Sequence, residues 1–154
     1  MYSHLLIFHS FTRWIVLFLL LFTLVRCIRG IIFKKNFEKW DNLGRILMIA
    51  FSHFQLVLGF FLYFKSPIVQ AFFLDPVGAF QVSDIRFFAI IHISIMIISV
   101  VFLTVGSAVS KRKKEDSEKF KSLFVWILIS ILLMFIAIPW PFSPFANRPY
   151  IREF

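Results

Sequence analysis

Four stretches of this 154-residue chain are apolar over a length that can cross a bilayer, and no other feature restricts its possible folds so severely. A helix needs about 20 mostly apolar residues to traverse a hydrocarbon core of roughly 30 Å. Windows of that length, bounded by charge or proline, run from about 5 to 28, 43 to 64, 85 to 109 and 123 to 139. In lipid, backbone N–H and C=O groups must bond within their own segment or around a closed barrel. No run shows the apolar-out, polar-in alternation of barrel strands, so all four are predicted to be helices. The expected fold class is all-α: an integral membrane four-helix bundle forming one membrane domain over residues 1–154. The 60% hydrophobic content, 23 Phe and mean hydropathy of +0.86 lie far from soluble proteins and leave no room for a separate soluble domain.

The basic residues orient the bundle. Arg26, Arg29, Lys34, Lys35, Lys39 and Arg45 fall around the first connection, and Lys111, Arg112, Lys113, Lys114, Lys119 and Lys121 around the third. The positive-inside rule therefore predicts that both connections face the cytoplasm of a bacterial inner membrane. The N-terminus, the loop 65–84 and the C-terminal tail are then on the outer, periplasmic side. Topology accounts for the net charge of +9 without nucleic acid, because these runs abut spans and are interleaved with Glu38, Asp41, Glu115, Asp116 and Glu118. Anionic inner-leaflet lipid is the expected counterpart. The first run lacks a basic n-region and a small-residue cleavage site, so it reads as a retained helix and not a signal peptide. Cys27 is the sole cysteine, which rules out a disulfide framework and a C-x-x-C-H haem attachment.

Two further segments are apolar but too short to span. Residues 67–75 are expected to lie in the outer interface as a short helix or turn. The tail IPWPFSPFANRPYIREF carries Pro139 and Pro141, which should end the fourth helix, with Trp140 and Phe142 as interfacial anchors. Either segment could also form a lid over something held near the outer surface.

Chemistry concentrates in three histidines, His9, His53 and His92, one in each of the first three spans. An imidazole in hydrocarbon must be hydrogen-bonded, metallated or catalytic. With a rise of 1.5 Å per residue, His9 lies roughly 11 Å and His92 roughly 8 Å from midspan toward the outer face, with His53 near the midplane. His9 and His92 thus share a layer and form the best ligand pair. His53 would be a third ligand or a hydrogen-bond donor. His4 precedes the first span and is expected at the interface. Arg13 follows His9 at i,i+4 on the same face, while no carboxylate lies within any span. Its anionic partner could be a haem propionate, a lipid phosphate, a substrate or another subunit, and the absence of a carboxylate strengthens the ligand reading; snorkelling to the interface is the alternative. Arg86, near the outer end of the third span, could serve similarly.

Helix faces point the same way. His92, Ser99 and Gly106 recur every seven residues with Met96 between, a narrow small-polar face that should look inward. Ser52, Gln55 and Gly59 make a comparable stripe on the second helix, but His53 is rotated about 100° from Ser52. The fourth span offers only Ser130 and is expected to be an apolar wall. Aromatic flanks (Phe8, Phe11, Trp14, Phe54, Phe88) suit a flat apolar macrocycle better than bare zinc, which would recruit carboxylate or thiolate.

The segments HSFTRW (9–14), SHFQLVLGFFLYF (52–64), SPIVQ (66–70), IHISIM (91–96), SKRKK (110–114) and IPWPF (138–142) resemble small four-span membrane proteins of Bacteroidota commonly labelled cytochrome b. The resemblance implies a histidine on each of the first three helices, here His9, His53 and His92, accompanied by Arg13 and the IPWPF turn. An acidic residue often precedes the third histidine in such proteins, where this chain has Ile91. The expectation is a protein binding haem b and relaying electrons, with quinol or a partner redox complex as donor or acceptor. Its rival is a colourless structural subunit of a larger inner-membrane complex. A transporter is disfavoured by the lack of intramembrane carboxylates and of an inverted repeat.

Overall fold

The computed structural model describes residues 2–150, which are mostly helical with no strand among them. The helices are α1 (Tyr2–Ile32), α2 (Lys39–Lys65), α3 (Pro67–Leu74), α4 (Pro76–Gln81), α5 (Ser83–Arg86), α6 (His92–Arg112) and α7 (Asp116–Ala137). A π-helical turn, Phe87–Ile91, joins α5 to α6, so that Ser83–Arg112 is one continuous rod. α1, α2, that rod and α7 are each long and apolar enough to cross a membrane, as expected of a multi-pass membrane protein. They run past the apolar windows because the end turns carry charged residues that belong in the headgroup layer, such as Arg29 on α1 and Lys39 on α2.

α1 packs on α2 and α7, and α6 packs on the same two helices, placing α1 and α6 on the diagonal of the bundle. Antiparallel neighbours put Tyr2, α3, α4, α5 and the tail at one end and the basic connections at the other. Polar contacts tie each end. At the basic end Arg26 Nε donates to the buried Asp41 carboxylate at 2.7 Å, and the Phe37 N–H donates to Asp116 at 3.0 Å. At the opposite end the Tyr2 hydroxyl reaches Ser66 Oγ at 3.3 Å.

Toward the basic end the bundle is solid. Leu20, Met48, Leu103 and Ile127, one from each long helix, are fully enclosed, with Phe120 and Leu123 beside them. Lipid is as apolar as leucine, so these helices associate by close packing and not by escape from water. Glycines make that packing possible: Gly30 lies against the Phe120 ring, and Gly106 against Trp126. α7 ends at Ala137 because Ile138 precedes Pro139 and takes an extended conformation (φ −74°, ψ 129°).

The glycine contacts set a test. A Cβ at position 106 would sit 2.2 Å from Trp126 Cβ, an atom that cannot swing aside, whereas one at Gly59 would meet only His9 Cε1 at 3.5 Å. Gly106→Val should therefore cost about 1–3 kcal/mol or more and lower the thermal unfolding midpoint in detergent, while Gly59→Ala should barely move it.

Candidate functional site

Above the solid half, α1, α2, α6, α7 and the tail surround a cavity of about 440 Å³. His9, Ser10 and Arg13 line it from α1, Ser52, Gln55, Gly59 and Tyr63 from α2, and His92 and Met96 from α6. Met134 of α7 and Ile138, Pro139 and Arg148 of the tail complete the wall, with Pro67–Val69 of α3. The volume falls within the roughly 300–1,000 Å³ typical of small-molecule sites. Among the described residues no carboxylate or thiol lines it.

His9 is set by a cross-link between α1 and α2. Gln55 Nε2 donates to the His9 carbonyl at 2.9 Å, and the Thr12 hydroxyl meets Gln55 Oε1. Two buried polar atoms at this cavity have no hydrogen-bond partner among the described residues, His9 Nδ1 and Ser52 Oγ. Such atoms are costly in an apolar interior, which makes this layer a candidate place for a polar group to bind.

His92 is set by two departures from regular helix. Its backbone N–H reaches Phe87 O, closing the wide π turn, and π turns are frequent at functional sites. The Tyr63 hydroxyl donates to the Ala89 carbonyl within that turn at 3.0 Å, fastening it to α2. The second departure is the IPWPF segment. Pro139 and Pro141 have no N–H to offer the carbonyls four residues back, those of Phe135 and Ala137. The indole Nε1 of Trp140 takes the Phe135 carbonyl at 2.8 Å, and His92 Nδ1 takes that of Ala137 at 2.7 Å. A carbonyl only accepts, so Nδ1 carries the proton, and in the neutral imidazole Nε2 then keeps its lone pair, the tautomer that a metal ligand requires.

His9 and His92, from diagonally opposed helices, thus face one cavity. His53, expected as a third ligand or a hydrogen-bond donor, does not line this cavity: it is exposed, with Nε2 3.1 Å from Thr104 Oγ1. Among the described residues there is no group of three or more His, Cys, Asp or Glu able to hold a metal. Arg13 lines the cavity, sends Nη2 to the Tyr150 carbonyl at 2.7 Å and lies between the Trp14 and Trp140 rings at 5.4 and 5.8 Å. Arg86 turns away, donating to the Phe80 carbonyl at 2.9 Å over the Phe80 ring, and does not line the cavity. His4 is exposed outside it.

Arg148 lines the cavity and escaped sequence reasoning. It pairs with Asp84 at 2.7 Å and lies over the Phe88 ring at 5.0 Å. The one available hint was Asp84 itself, a carboxylate at the start of the third span with no basic neighbour in sequence other than Arg86.

No family model, curated protein or solved structure matches this chain. Its site is read from its own chemistry.

Because the Tyr63 hydroxyl donates to the Ala89 carbonyl within the π turn, Tyr63→Phe should lower stability by about 0.6–1 kcal/mol in detergent, seen as a reduced thermal midpoint against a Phe61→Leu control at an exposed position.

Proposed function

We propose that this chain is a b-type haem protein of the bacterial inner membrane that relays electrons, with His9 and His92 as the axial pair. The observation that carries the reading is the meeting of these two imidazoles at one cavity, from opposite corners of the bundle. The His92 tautomer supports it, as does the unpartnered Nδ1 of His9. The donor set fits the group: two neutral nitrogens and apolar walls suit a macrocycle, whereas a bare divalent cation would call on oxygen or sulfur ligands. Bis-imidazole haem supplies a one-electron couple without an open coordination position, which favours electron transfer over oxygen chemistry. The chain's residues would bind and orient the group. Gln55 fixes the His9 backbone, the Ala137 carbonyl holds the His92 ring, and Met96 and Met134 would supply apolar wall beside the group. Arg13 is a cation positioned for a carboxylate at the cavity, and Arg86 is not.

With the basic connections cytoplasmic, the cavity lies toward the outer leaflet, within reach of quinol or a partner's redox centre. The rival reading, an accessory subunit, draws on one observation: His53 presents an imidazole to the lipid side, where a partner protein could bond it.

Reduced-minus-oxidised spectra of the purified protein decide between them. Soret and α bands are expected, abolished by His9→Ala or His92→Ala and retained in His53→Ala; protein-only absorbance in the wild type would favour the subunit. For orientation, in a Cys27→Ser background, an impermeant maleimide added to intact cells should label Val77→Cys and spare Lys113→Cys. The reverse pattern would invert the topology.

A further inference from the structure

Residues 143–150 run back from the turn at Trp140 across the mouth of the cavity as a strap. Ser83 Oγ donates to the Phe145 carbonyl at 2.7 Å, and the Phe145 and Phe87 rings stack 6.3 Å apart. Arg13 and the Trp14 indole both donate to the Tyr150 carbonyl. These hydrogen bonds are exposed, so each contributes little and local opening lies at the low end of the stability range. Buried Trp140 and Ala146 keep the strap anchored to the bundle.

Arg148 is the strap residue whose position exceeds what anchoring requires. Its guanidinium lies over Phe88, and Phe88 lies 6.1 Å from the His92 ring, one helical turn before it. Phe88 and Arg148 both line the cavity, whereas Asp84, the partner of Arg148, does not. The Asp84 side chain is 44% exposed, and ion pairs that open to solvent are weak. Nη2 serves Asp84 and Nη1 serves the neighbouring Asn147 carbonyl, which leaves further N–H groups of the five-donor fork for another acceptor. A carboxylate at the edge of the cavity would meet this fork in a drier setting than Asp84 occupies, where charge-assisted hydrogen bonds are stronger.

We propose that Arg148 binds a carboxylate of the cavity's ligand in addition to the cation that Arg13 supplies, giving up Asp84 to do so, and that the strap delivers it there. The ligand class is an apolar body ending in a carboxylate, and the assignment rests on the haem reading, whose group carries two propionates. Asp84 then acts as a competitor for the guanidinium and as the strap's resting latch.

The test is a spectral titration of purified protein with ferric haem and, separately, with its dimethyl ester, which keeps the macrocycle and loses both carboxylates. Wild type should bind both through imidazole. Arg148→Gln should weaken haem binding by about tenfold and leave the ester within about twofold. Asp84→Asn, by removing the competitor, should leave haem binding as tight or severalfold tighter. Equal loss of haem and ester in Arg148→Gln, no loss of either, or weaker haem binding in Asp84→Asn overturns the role of Arg148 and leaves the haem reading standing. Wild type that binds neither compound overturns the haem reading, and this inference with it.

Discussion

The demand that every backbone carbonyl inside a membrane find a donor underlies most of what is particular about this structure. Ordinary helix satisfies that demand residue by residue. Where α7 ends, two prolines remove two donors at once, and the chain meets the shortfall with side chains: Trp140 for the Phe135 carbonyl and His92 for that of Ala137. At the π turn before His92 the Tyr63 hydroxyl likewise brings a side-chain donor to a backbone carbonyl, that of Ala89. Each repair also orients something. The indole fixes the beginning of the tail, and the imidazole is locked in the tautomer that leaves Nε2 available. A helix terminus, a turn and a candidate ligand are thereby held by one set of bonds.

The bundle divides its length between two tasks. Toward the basic end, tight contacts such as Gly106 against Trp126 and Gly30 against Phe120 bring the helices close, and the layer of Leu20, Met48, Leu103 and Ile127 closes the interior. Toward the other end the small-polar face of α2 and, from α6, His92, Ile93 and Met96 line a space instead of meeting. Ser52, Gln55 and Gly59 cannot fill it, and neither can Ser10. A fully packed bundle would have enclosed His9 and His92 as hydrogen-bonded core residues; here small side chains at their level leave both rings bordering the same hollow.

Much of this was legible in sequence because it depends on local periodicity. Membrane length and charge placed the four long helices, and the absence of barrel alternation set their type. The rise per residue put His9 and His92 at one height, and a rotation of about 100° separated His53 from the stripe of Ser52, Gln55 and Gly59. The structure has that stripe on the cavity and His53 beside Thr104. The π turn was not legible, since it arises from tertiary fit around Phe87–Ile91 and no residue type announces it. Arg86 and Arg148 show the other limit. Both lie near Asp84 in the fold, yet which guanidinium reaches the cavity depends on how the tail returns, and a segment rich in proline and aromatics carries no periodic signal of its path.

The tail is therefore more than an anchor. Its first residues carry the prolines whose missing donors bring His92 to Ala137, and its last described residues carry Arg148 to the same cavity and give Arg13 and Trp14 an acceptor at Tyr150. A change anywhere along 138–150 can reach the histidine layer by one of two routes, through the imidazole tautomer at one end or through the strap's cation at the other. The first route is buried and rigid, because losing the His92 bond would strand a carbonyl in an apolar interior. The second is exposed and held by weak contacts, free to yield when a better acceptor is offered. On the proposed reading, that asymmetry would let one segment hold the ring that grips a ligand while leaving movable the group that would close over it.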